Sequence, residues 1–580
     1  MTFNELANYF DRLERESSRL AMTHILSDIF KQLSAHEAQI VAYFCIGELN
    51  PPYKKTVVGL ADKSVIKVLA HVMHCSADHV KKLLVPAADL GEVVAQGHWQ
   101  PTKEISITTV YHDLVAITHI TGDGAQEAKA TALGELLLKV NPLAAKFVVR
   151  IVLGILRLGF SDMTLIDAFS WMVAGNKSMS DVIETAYNQC ADIGYVATVL
   201  KEQGIAGVKN LSITVGIPIR PAAAERLSSP QEIIAKLGPC VAEPKLDGFR
   251  LQVHIDNRHG HKKICFFSRN LLDMSDMYPD LVKALAPLDV QTFIGEGEAI
   301  AYDADTGSFM PFQETVKRKR KHDIAAKVQE LPLQLFFFDI LYLDGESLMA
   351  LSMMERRKKL VAVLKRSSID KHVVRVTQEV TIADAATLKD YFLLQVAAGL
   401  EGVVVKRPGA EYQPGKRNFN WIKLKRLESG HLLDSIDCVV LGYYHGSGKR
   451  ALFGIGALLL GVYNKSCDCF QTIAKVGTGF SDDEWRQIKK RCDALAVDKA
   501  PKNVSCHKDL VPDVWVRPEL VLEITADEIT RSPVHTAGVV AHEEGFALRF
   551  PRFERYRDDK DAYEATHVDE LRALYAKQKH

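Results

Sequence analysis

The spacing of apolar residues changes twice along this chain of 580 residues, and those changes limit the folds that it can adopt. In residues 1–215, apolar side chains recur at every third or fourth position, which predicts helices. Residues 216–427 carry short apolar runs mixed with helical segments, which predicts strands buried on both faces. Residues 428–580 are richest in short strands. We therefore predict a multi-domain protein with an all-α domain, an α+β domain and a β-barrel domain, in that order.

The last of these regions gives the clearest local predictions. Apolar runs predict strands over residues 436–444 and 452–463. A helical pattern predicts a closing helix over residues 561–579. Several short strands within about 125 residues suit a small barrel.

Composition excludes some classes of protein. Hydrophobic residues make up 47% of the chain and charged residues 25%, as in soluble globular proteins. The chain contains no run of about 18 apolar residues, so we predict no membrane span and expect no membrane partner. Basic and acidic residues number 72 each, so binding of nucleic acid would depend on local basic clusters. Lys317–Lys321 and Arg549–Arg557 are two such clusters.

Cysteine usage indicates a reducing compartment. The ten cysteines are scattered, and the only close pair is Cys467 and Cys469. Without a Cys-x-x-Cys pair we expect no zinc module, and the spacing indicates no disulfide framework. Scattered thiols are typical of proteins of the cytoplasm or nucleus.

The octet Glu243–Arg250, which reads EPKLDGFR, carries the strongest chemical signal in the chain. A lysine amine is a nucleophile only when uncharged, so it needs a pocket that lowers its pKa from the ordinary value of about 10.4. A carboxylate, a glycine and an arginine close to Lys245 suit a lysine that bonds to phosphorus. The same residues could form a surface turn, so the interpretation depends on a phosphate site elsewhere in the chain.

Further motifs follow in order along the chain. They are Phe267–Asn270, Gly295–Ala299, Phe336–Asp339, Glu401–Lys406 and Trp421–Lys425. The ordered series resembles the covalent nucleotidyltransferases, and at this length the ATP-dependent DNA ligases of the archaeal and eukaryotic replicative type. Ala88–Ala95 and Arg150–Gly159 are similar to signature turns of the helical DNA-binding domain in that family. The resemblance spans nearly the whole chain.

The resemblance implies a ligase of three domains. Residues 1–215 would be the helical DNA-binding domain, 216–427 the nucleotidyltransferase (adenylation) domain and 428–580 an oligonucleotide-binding barrel, or OB-fold. The protein would seal nicks in duplex DNA, joining 3′-hydroxyl and 5′-phosphate ends through a lysyl-AMP intermediate on Lys245. ATP and Mg²⁺ would be its cofactors, and it would serve DNA replication, repair and recombination.

The resemblance also implies a role for each motif residue. Glu243 would accept a hydrogen bond from the adenine N6 amine, and Phe338 would stack on the adenine ring. Glu298 would serve the ribose or a metal, and Glu401 a metal. Further nucleotide contacts would come from Arg250, Arg269, Arg417, Lys423, Lys425, Arg552 and Lys560. The last two would orient the pyrophosphate during the first step.

Other interpretations stay open at this point. A messenger-RNA capping enzyme or an RNA ligase would share Lys245, although the helical front region resembles the DNA enzymes. An NAD-dependent ligase is disfavoured because zinc cysteines are missing. A non-catalytic nick-binding protein would have no reason to keep the charged residues of the motifs together, namely Lys245, Glu298, Glu401, Lys423 and Lys425.

The expected partner is nicked double-stranded DNA, bound by a monomer. Archaeal relatives often carry a Gln-led aromatic peptide for a sliding clamp after the Asp-Leu-Gly segment. Here Gln96–Glu104 lacks the paired aromatics, which makes a sliding-clamp partner doubtful. The lack of a long segment before the helical region favours a prokaryotic cytoplasm over a nucleus.

Overall fold

The computed structural model describes most of the chain, which divides into two compact units, Met1–Arg426 and Leu427–His580. The described residues are 1–54, 56–87, 89–154, 156–303, 309–310, 314–315, 317–318, 324–425, 435–446, 450, 453–540 and 543–577. The predicted boundary at residue 427 lies outside them, as do Ala88 and Ile155 of the signature segments and Lys319, Arg320 and Lys321 of a basic cluster. Within the described ranges, no helix has both the length and the apolar character that a bilayer crossing needs.

The first part of the first unit is helical, as predicted. Its helices are α1 (Phe3–Arg15), α2 (Arg19–Gln32), α3 (Ala35–Cys45), α4 (Asp62–Val72), α5 (Ala77–Ala87), α6 (Leu90–Ala95), α7 (Ile107–Thr118), α8 (Ala125–Leu138), α9 (Pro142–Val152), α10 (Asp162–Ala174), α11 (Ser180–Gln189) and α12 (Ile193–Lys209). Thr2 and Ser34 start α1 and α3 with capping boxes, which satisfy backbone N–H groups that the helix leaves unpaired. The apolar faces share one core.

The two signature segments of this helical region pack against each other. Asp89 caps α6 by accepting a hydrogen bond of 2.8 Å from the Gly91 amide. The same carboxylate pairs with the buried guanidinium of Arg150 on α9 at 2.6 Å, and Glu14 of α1 pairs with that guanidinium at 2.8 Å. A Cβ at Gly91 would lie 2.9 Å from the carbonyl oxygen of Lys146, so only glycine permits this approach of α6 to α9.

The second part of the first unit is built from strands and helices. The strands are β1 (Ala223–Arg226), β2 (Cys240–Pro244), β3 (Phe249–Asp256), β4 (Lys263–Ser268), β5 (Thr292–Ala301), β6 (Leu333–Leu343), β7 (Glu346–Ser347), β8 (Val374–Val376), β9 (Val380–Ile382), β10 (Gly402–Lys406) and β11 (Arg417–Lys425). The helices are α13 (Pro230–Leu237), α14 (Pro279–Leu285), α15 (Ile324–Glu330), α16 (Met353–Arg366) and α17 (Ala385–Ala397).

These strands form two sheets. One has the order β1-β11-β10-β2-β9, and the other β4-β3-β5-β6-β7 with β8 parallel to β6. Apolar side chains of β2, β10 and β11 pack against α13 and α17, and those of the second sheet pack against α14 and α16. This arrangement is an α+β fold, as predicted, and it leaves one polar face of the first sheet for the site described below.

The second unit is dominated by strands. They are β12 (Ile436–Tyr444), β13 (Ala457–Asn464), β14 (Cys469–Val476), β15 (Ala496–Val497), β16 (Val504–Ser505), β17 (Val514–Val516), β18 (Val521–Thr525), β19 (Glu528–Ser532), β20 (Gly545–Arg549) and β21 (Arg552–Tyr556), with helices α18 (Asp482–Ala494) and α19 (Val568–Lys577). Among the described residues of this unit, eight strands form one sheet in the order β15-β17-β12-β13-β14-β16, with β18 joining β12 to β21.

The local predictions for this unit meet different outcomes. The strand over 436–444 is confirmed as β12. The second strand begins at Ala457 rather than at 452, and the closing helix begins at Val568 rather than at 561. Asp561 instead caps a short 3-10 turn by accepting the amides of Tyr563 and Glu564. A disulfide joins Cys467 and Cys469 in the β13–β14 turn, a local link that the sequence did not predict.

Candidate active site

Lys245 lies directly after β2, beside the first residue of β10. Its amide donates a hydrogen bond of 2.9 Å to the carbonyl oxygen of Gly402. Its ammonium contacts one carboxylate oxygen of Glu401, and the ammonium of Lys425 contacts the other. All three side chains are partly exposed, at 22–23%. One carboxylate is therefore shared by two amines at the edge of an open site.

The geometry of β11 explains why Lys425 reaches this point. Ile422 and Leu424 are buried in the core that faces α13 and α17. Alternation along the strand then places Trp421, Lys423 and Lys425 on the opposite face. Because β10 pairs with both β2 and β11, Lys425 lies opposite Gly402 and close to Lys245.

Positive charge is concentrated on this face. Desolvation lowers the pKa of Lys423, and the charges of Lys425, Arg417, Lys245 and Arg269 lower it further. Four of these five cations come from three separate motifs of the sequence, and Arg417 is the first residue of β11. Such a concentration of like charge is stabilised by a polyanion, so the face is suited to bind phosphate groups.

The carboxylate of Glu401 is held in its ionised form. Burial raises its pKa, but the ammonium groups of Lys245 and Lys425 outweigh burial and leave the pKa lowered. The pKa of Glu298 is shifted the other way. Burial raises it to about 7 despite the opposing charges of Lys245 and Arg250. Glu298 lies opposite Arg250 in the β3–β5 register and accepts a hydrogen bond of 3.1 Å from the Gly248 amide.

Arg250 and Phe338 form an aromatic and cationic wall of the site. The guanidinium of Arg250 lies 5.4 Å from the ring centroid of Phe338 and 5.6 Å from that of Trp421. It also pairs with Glu296 at 2.8 Å and donates to the carbonyl oxygen of Ala222 at 2.7 Å. Phe338 is half-buried, so its ring is accessible for stacking.

Glu243 is the most buried of the predicted residues, at 2% exposure. It pairs with Lys406 at 2.7 Å and with Arg357 at 3.0 Å. Burial raises its pKa, against the influence of these two cations. Lys406 also lies 5.1 Å from the ring centroid of Phe338, which places Glu243 at the same end of the site as that ring. The contact of Glu243 with adenine stays a prediction.

Three residues around this end were not predicted from the sequence as site residues: Lys406, Trp421 and Arg357. Two of them had a signal, since Lys406 ends the apolar run of β10 and Trp421 opens the alternating pattern of β11. Nothing in the sequence indicated Arg357, because it reaches Glu243 only through the packing of α16.

Arg552 and Lys560 belong to the second unit. Arg552 contacts the carboxylate of Asp527. Lys560 pairs with the buried Asp437 at 2.7 Å, and Arg557 pairs with the same carboxylate at 2.8 Å. The first unit thus brings together the predicted residues from Glu243 to Lys425, whereas these two form ion pairs within their own unit.

Comparison with known proteins matches three family models to consecutive parts of the chain. They are described as DNA ligase N terminus (residues 2–170), ATP dependent DNA ligase domain (221–425) and ATP dependent DNA ligase C terminal region (453–560). A probable DNA ligase of Dictyoglomus thermophilum is 43% identical, with 100% of this chain and 98% of the relative covered. This chain belongs to the ATP-dependent DNA ligase family. A DNA ligase of Sulfolobus acidocaldarius is 38% identical, covering 99% and 98%.

The ligase therefore uses ATP to seal nicks in DNA, as the motif series predicted. The capping-enzyme, RNA-ligase and non-catalytic alternatives are not favoured. A solved structure described as Pmar-Lig_PreS3 has a TM-score of 0.54 and 17% identity, and the match covers 95% of this chain and 99% of that one. At that identity the similarity bears on the fold alone.

Proposed function

We propose that Lys245 is the nucleophile that carries AMP during nick sealing. Its nitrogen attacks the α-phosphorus of ATP, the bond to pyrophosphate breaks, and a phosphoramidate forms. The observation that carries this proposal is the contact of the Lys245 amine with Glu401 beside the cationic face of β11. Glu401 orients the amine and is the base in contact with it, and Lys423, Lys425, Arg417 and Arg269 neutralise the phosphates.

The other end of this site is suited to the nucleoside. We assign Phe338 to stacking on adenine, Arg250 and Glu298 to the ribose side, and Glu243 to the N6 amine. The half-buried ring of Phe338, which lies between two cations, supports this orientation. Because Glu243 would accept a hydrogen bond from the adenine N6 amine, it would favour ATP over GTP. Guanine carries an oxygen acceptor at the corresponding position.

Glu298 and Glu401 would hold Mg²⁺ together with the nucleotide phosphates. Within the described residues, no group of three or more His, Cys, Asp or Glu side chains could enclose a metal. This fits Mg²⁺, which usually keeps several waters and takes one or two carboxylates plus substrate phosphates. The raised pKa of Glu298 also fits, because a nearby cation would stabilise its charged form. When bound, the metal supplies additional neutralisation of phosphate charge.

The remaining domains would handle pyrophosphate and DNA. We assign residues 1–215 to gripping the nicked duplex, 216–427 to adenylation, and 428–580 to an OB-fold whose Arg552 and Lys560 orient the pyrophosphate. The polypeptide would act as a cytoplasmic monomer without a membrane partner. The exposure of Arg552, at 43%, supports a role in contacting a ligand.

Replacing Lys245 with alanine tests the central assignment. The variant is incubated with α-labelled ATP and Mg²⁺ and then run on a denaturing gel, with the exposed α16 variant Lys358→Ala as a matched control. We expect no labelled protein from Lys245→Ala and normal labelling of the control. Sealing of a pre-adenylated nick should survive in Lys245→Ala, because that step does not form the lysyl adduct. Persistent labelling would place the nucleophile elsewhere.

A further inference from the structure

The turn between β13 and β14 carries two cysteines at the surface of the second unit. Cys467 is exposed and Cys469 half-buried, their Cα atoms are 5.3 Å apart, and their sulfur atoms are bonded. Only Asp468 separates them in the sequence. The established nick-sealing chemistry requires no thiol, so this pair has no assigned role.

Local hydrogen bonds hold the turn in the shape that brings the cysteines together. The side-chain oxygen of Asn464 accepts the Ser466 amide at 2.9 Å. Asp468 adopts a left-handed backbone with φ of 50° and accepts a hydrogen bond of 2.5 Å from the Tyr463 hydroxyl. The flanking strands pair from Leu458 opposite Val476 to Asn464 opposite Cys469, with one register shift between Leu460 and Gly461. The hairpin is thus formed by its backbone, and the sulfur link is not needed to hold it.

The other cysteines are poor candidates for reaction with a dissolved reagent. Cys45, Cys190, Cys240, Cys265, Cys438 and Cys492 are buried, while Cys75 and Cys506 are half-buried. Burial raises the pKa of Cys240 and of Cys506 to about 11, which keeps these thiols protonated and unreactive near neutral pH. Cys467 is the exposed cysteine among the described residues.

We propose that Cys467 and Cys469 form a thiol–disulfide exchange site for small disulfides of the glutathione type. The thiolate of Cys467 attacks one sulfur of the small disulfide, and the bond between the two sulfurs of that molecule breaks. One half leaves as a thiolate, and the other half stays bound to Cys467 as a mixed disulfide. The thiolate of Cys469 then attacks the Cys467 sulfur and releases the second small thiolate. The two cysteines are oxidised, and the small disulfide is reduced to two thiols.

The link should also open readily. A loop with one intervening residue restricts the unfolded chain very little, so closing it adds little stability. Exposed disulfides of this kind are the ones that exchange with small thiols. The site is therefore reversible, with the dithiol favoured in a reducing compartment. It is independent of the proposed adenylation chemistry.

Glutathione buffers of stepped composition test the proposal on the full-length protein. After equilibration the protein is quenched with an alkylating reagent and digested, and the masses of its peptides are measured by mass spectrometry. We expect the peptide with both cysteines to carry no alkyl group and two hydrogens fewer than the dithiol after oxidising buffer, and to carry two alkyl groups after reducing buffer. Peptides with Cys75 and Cys506 should be alkylated to the same extent in every buffer.

Single-cysteine variants test the order of the steps. Cys467→Ser and Cys469→Ser should each retain one glutathione as a stable mixed disulfide, because the second thiol is missing. The Cys506→Ser control should behave like the parent, and nick sealing by all three variants should report an intact fold. The proposal is overturned if the parent never loses the two hydrogens. It is equally overturned if neither single variant gains glutathione, or if Cys75 and Cys506 become modified to the same extent.

Discussion

At the scale of single residues, the site depends on two carboxylates whose surroundings shift their pKa values in opposite directions. Glu401 is ionised because two ammonium groups contact it. The charges of Lys245 and Arg250 offset the burial of Glu298 only in part, so burial raises its pKa to about 7. The first carboxylate is suited to orient amines, while the second is suited to receive a cation that arrives with the substrate.

Replacing Glu401 with glutamine should slow self-adenylation by at least about tenfold, since charge-assisted contacts to both amines are lost. Single-turnover labelling with ATP measures this rate. The matched control is Glu411→Gln, whose parent side chain is exposed. An unchanged rate in Glu401→Gln would remove Glu401 from the mechanism.

Glu298 should make the stability of the metal-free protein depend on pH. Its pKa in the folded protein is about 7 against an ordinary 4.5, so the folded state binds a proton that the unfolded state releases between those values. Stability is therefore lost as the pH rises through this window. Glu298→Gln should match the parent near pH 5 and exceed it near pH 8, by on the order of 1 kcal/mol after allowance for solvent screening. Thermal melts in a chelator measure the difference. Parallel curves for the two proteins would contradict the shift.

At the scale of elements, the linker before β1 joins the helical region to the loop that leads into β11. The guanidinium of Arg220 pairs with Asp162 at 3.1 Å, donates to the Asn188 side chain at 3.3 Å and covers the Tyr187 ring at 4.8 Å. The carbonyl oxygen of Arg220 accepts the Gly415 amide at 2.9 Å. Arg417 follows Gly415 by two residues, so this linker contributes to placing a cation of the site.

Arg220→Ala should therefore weaken adenylation several-fold through misplacement of Arg417. Because the ion pair is partly exposed, the loss of stability should stay near 1 kcal/mol. Arg220→Lys should recover part of the rate, since it keeps the charge but not the planar fork. The exposed Arg226→Ala is the control, and adenylation kinetics with a thermal melt separate the two effects. Equal rates in Arg220→Ala and Arg226→Ala would exclude a role for the linker.

Sequence patterns predicted what depends on local spacing. β12 was predicted with its observed bounds, and the period of two in β11 placed Lys423 and Lys425 on one face. The closing helix was predicted too early because Asp561 caps a separate turn. Arg357 was missed because only tertiary packing brings it to Glu243. The ion pairs of Glu401 also required the structure, since 156 residues separate Lys245 from it.

At the scale of the whole molecule, a formal net charge of zero conceals a strongly cationic face. Lys245, Arg269, Arg417, Lys423 and Lys425 gather in the first unit through strand pairing. Acidic residues elsewhere balance them. In the second unit, Arg552 and Lys560 are each paired with a carboxylate of that unit.

If the second unit orients pyrophosphate, a substitution at Arg552 should impair self-adenylation more than the later sealing step. Arg552→Ala should slow self-adenylation by about tenfold or more and affect sealing of pre-adenylated nicks much less, because pyrophosphate is present only in the first step. Arg555→Ala on the same strand is the control, since its side chain is also exposed. Equal impairment of both steps would refute the assignment of Arg552 to pyrophosphate.

The attachment of AMP to Lys245 is measured most directly by the intact mass of the purified protein after incubation with ATP and Mg²⁺, followed by peptide mapping under conditions that preserve phosphoramidates. We expect a gain of one AMP per chain, located on the Lys245 side chain and lost when nicked DNA is added. Protein that gains no AMP, or that carries it on another residue, would exclude Lys245 as the nucleophile.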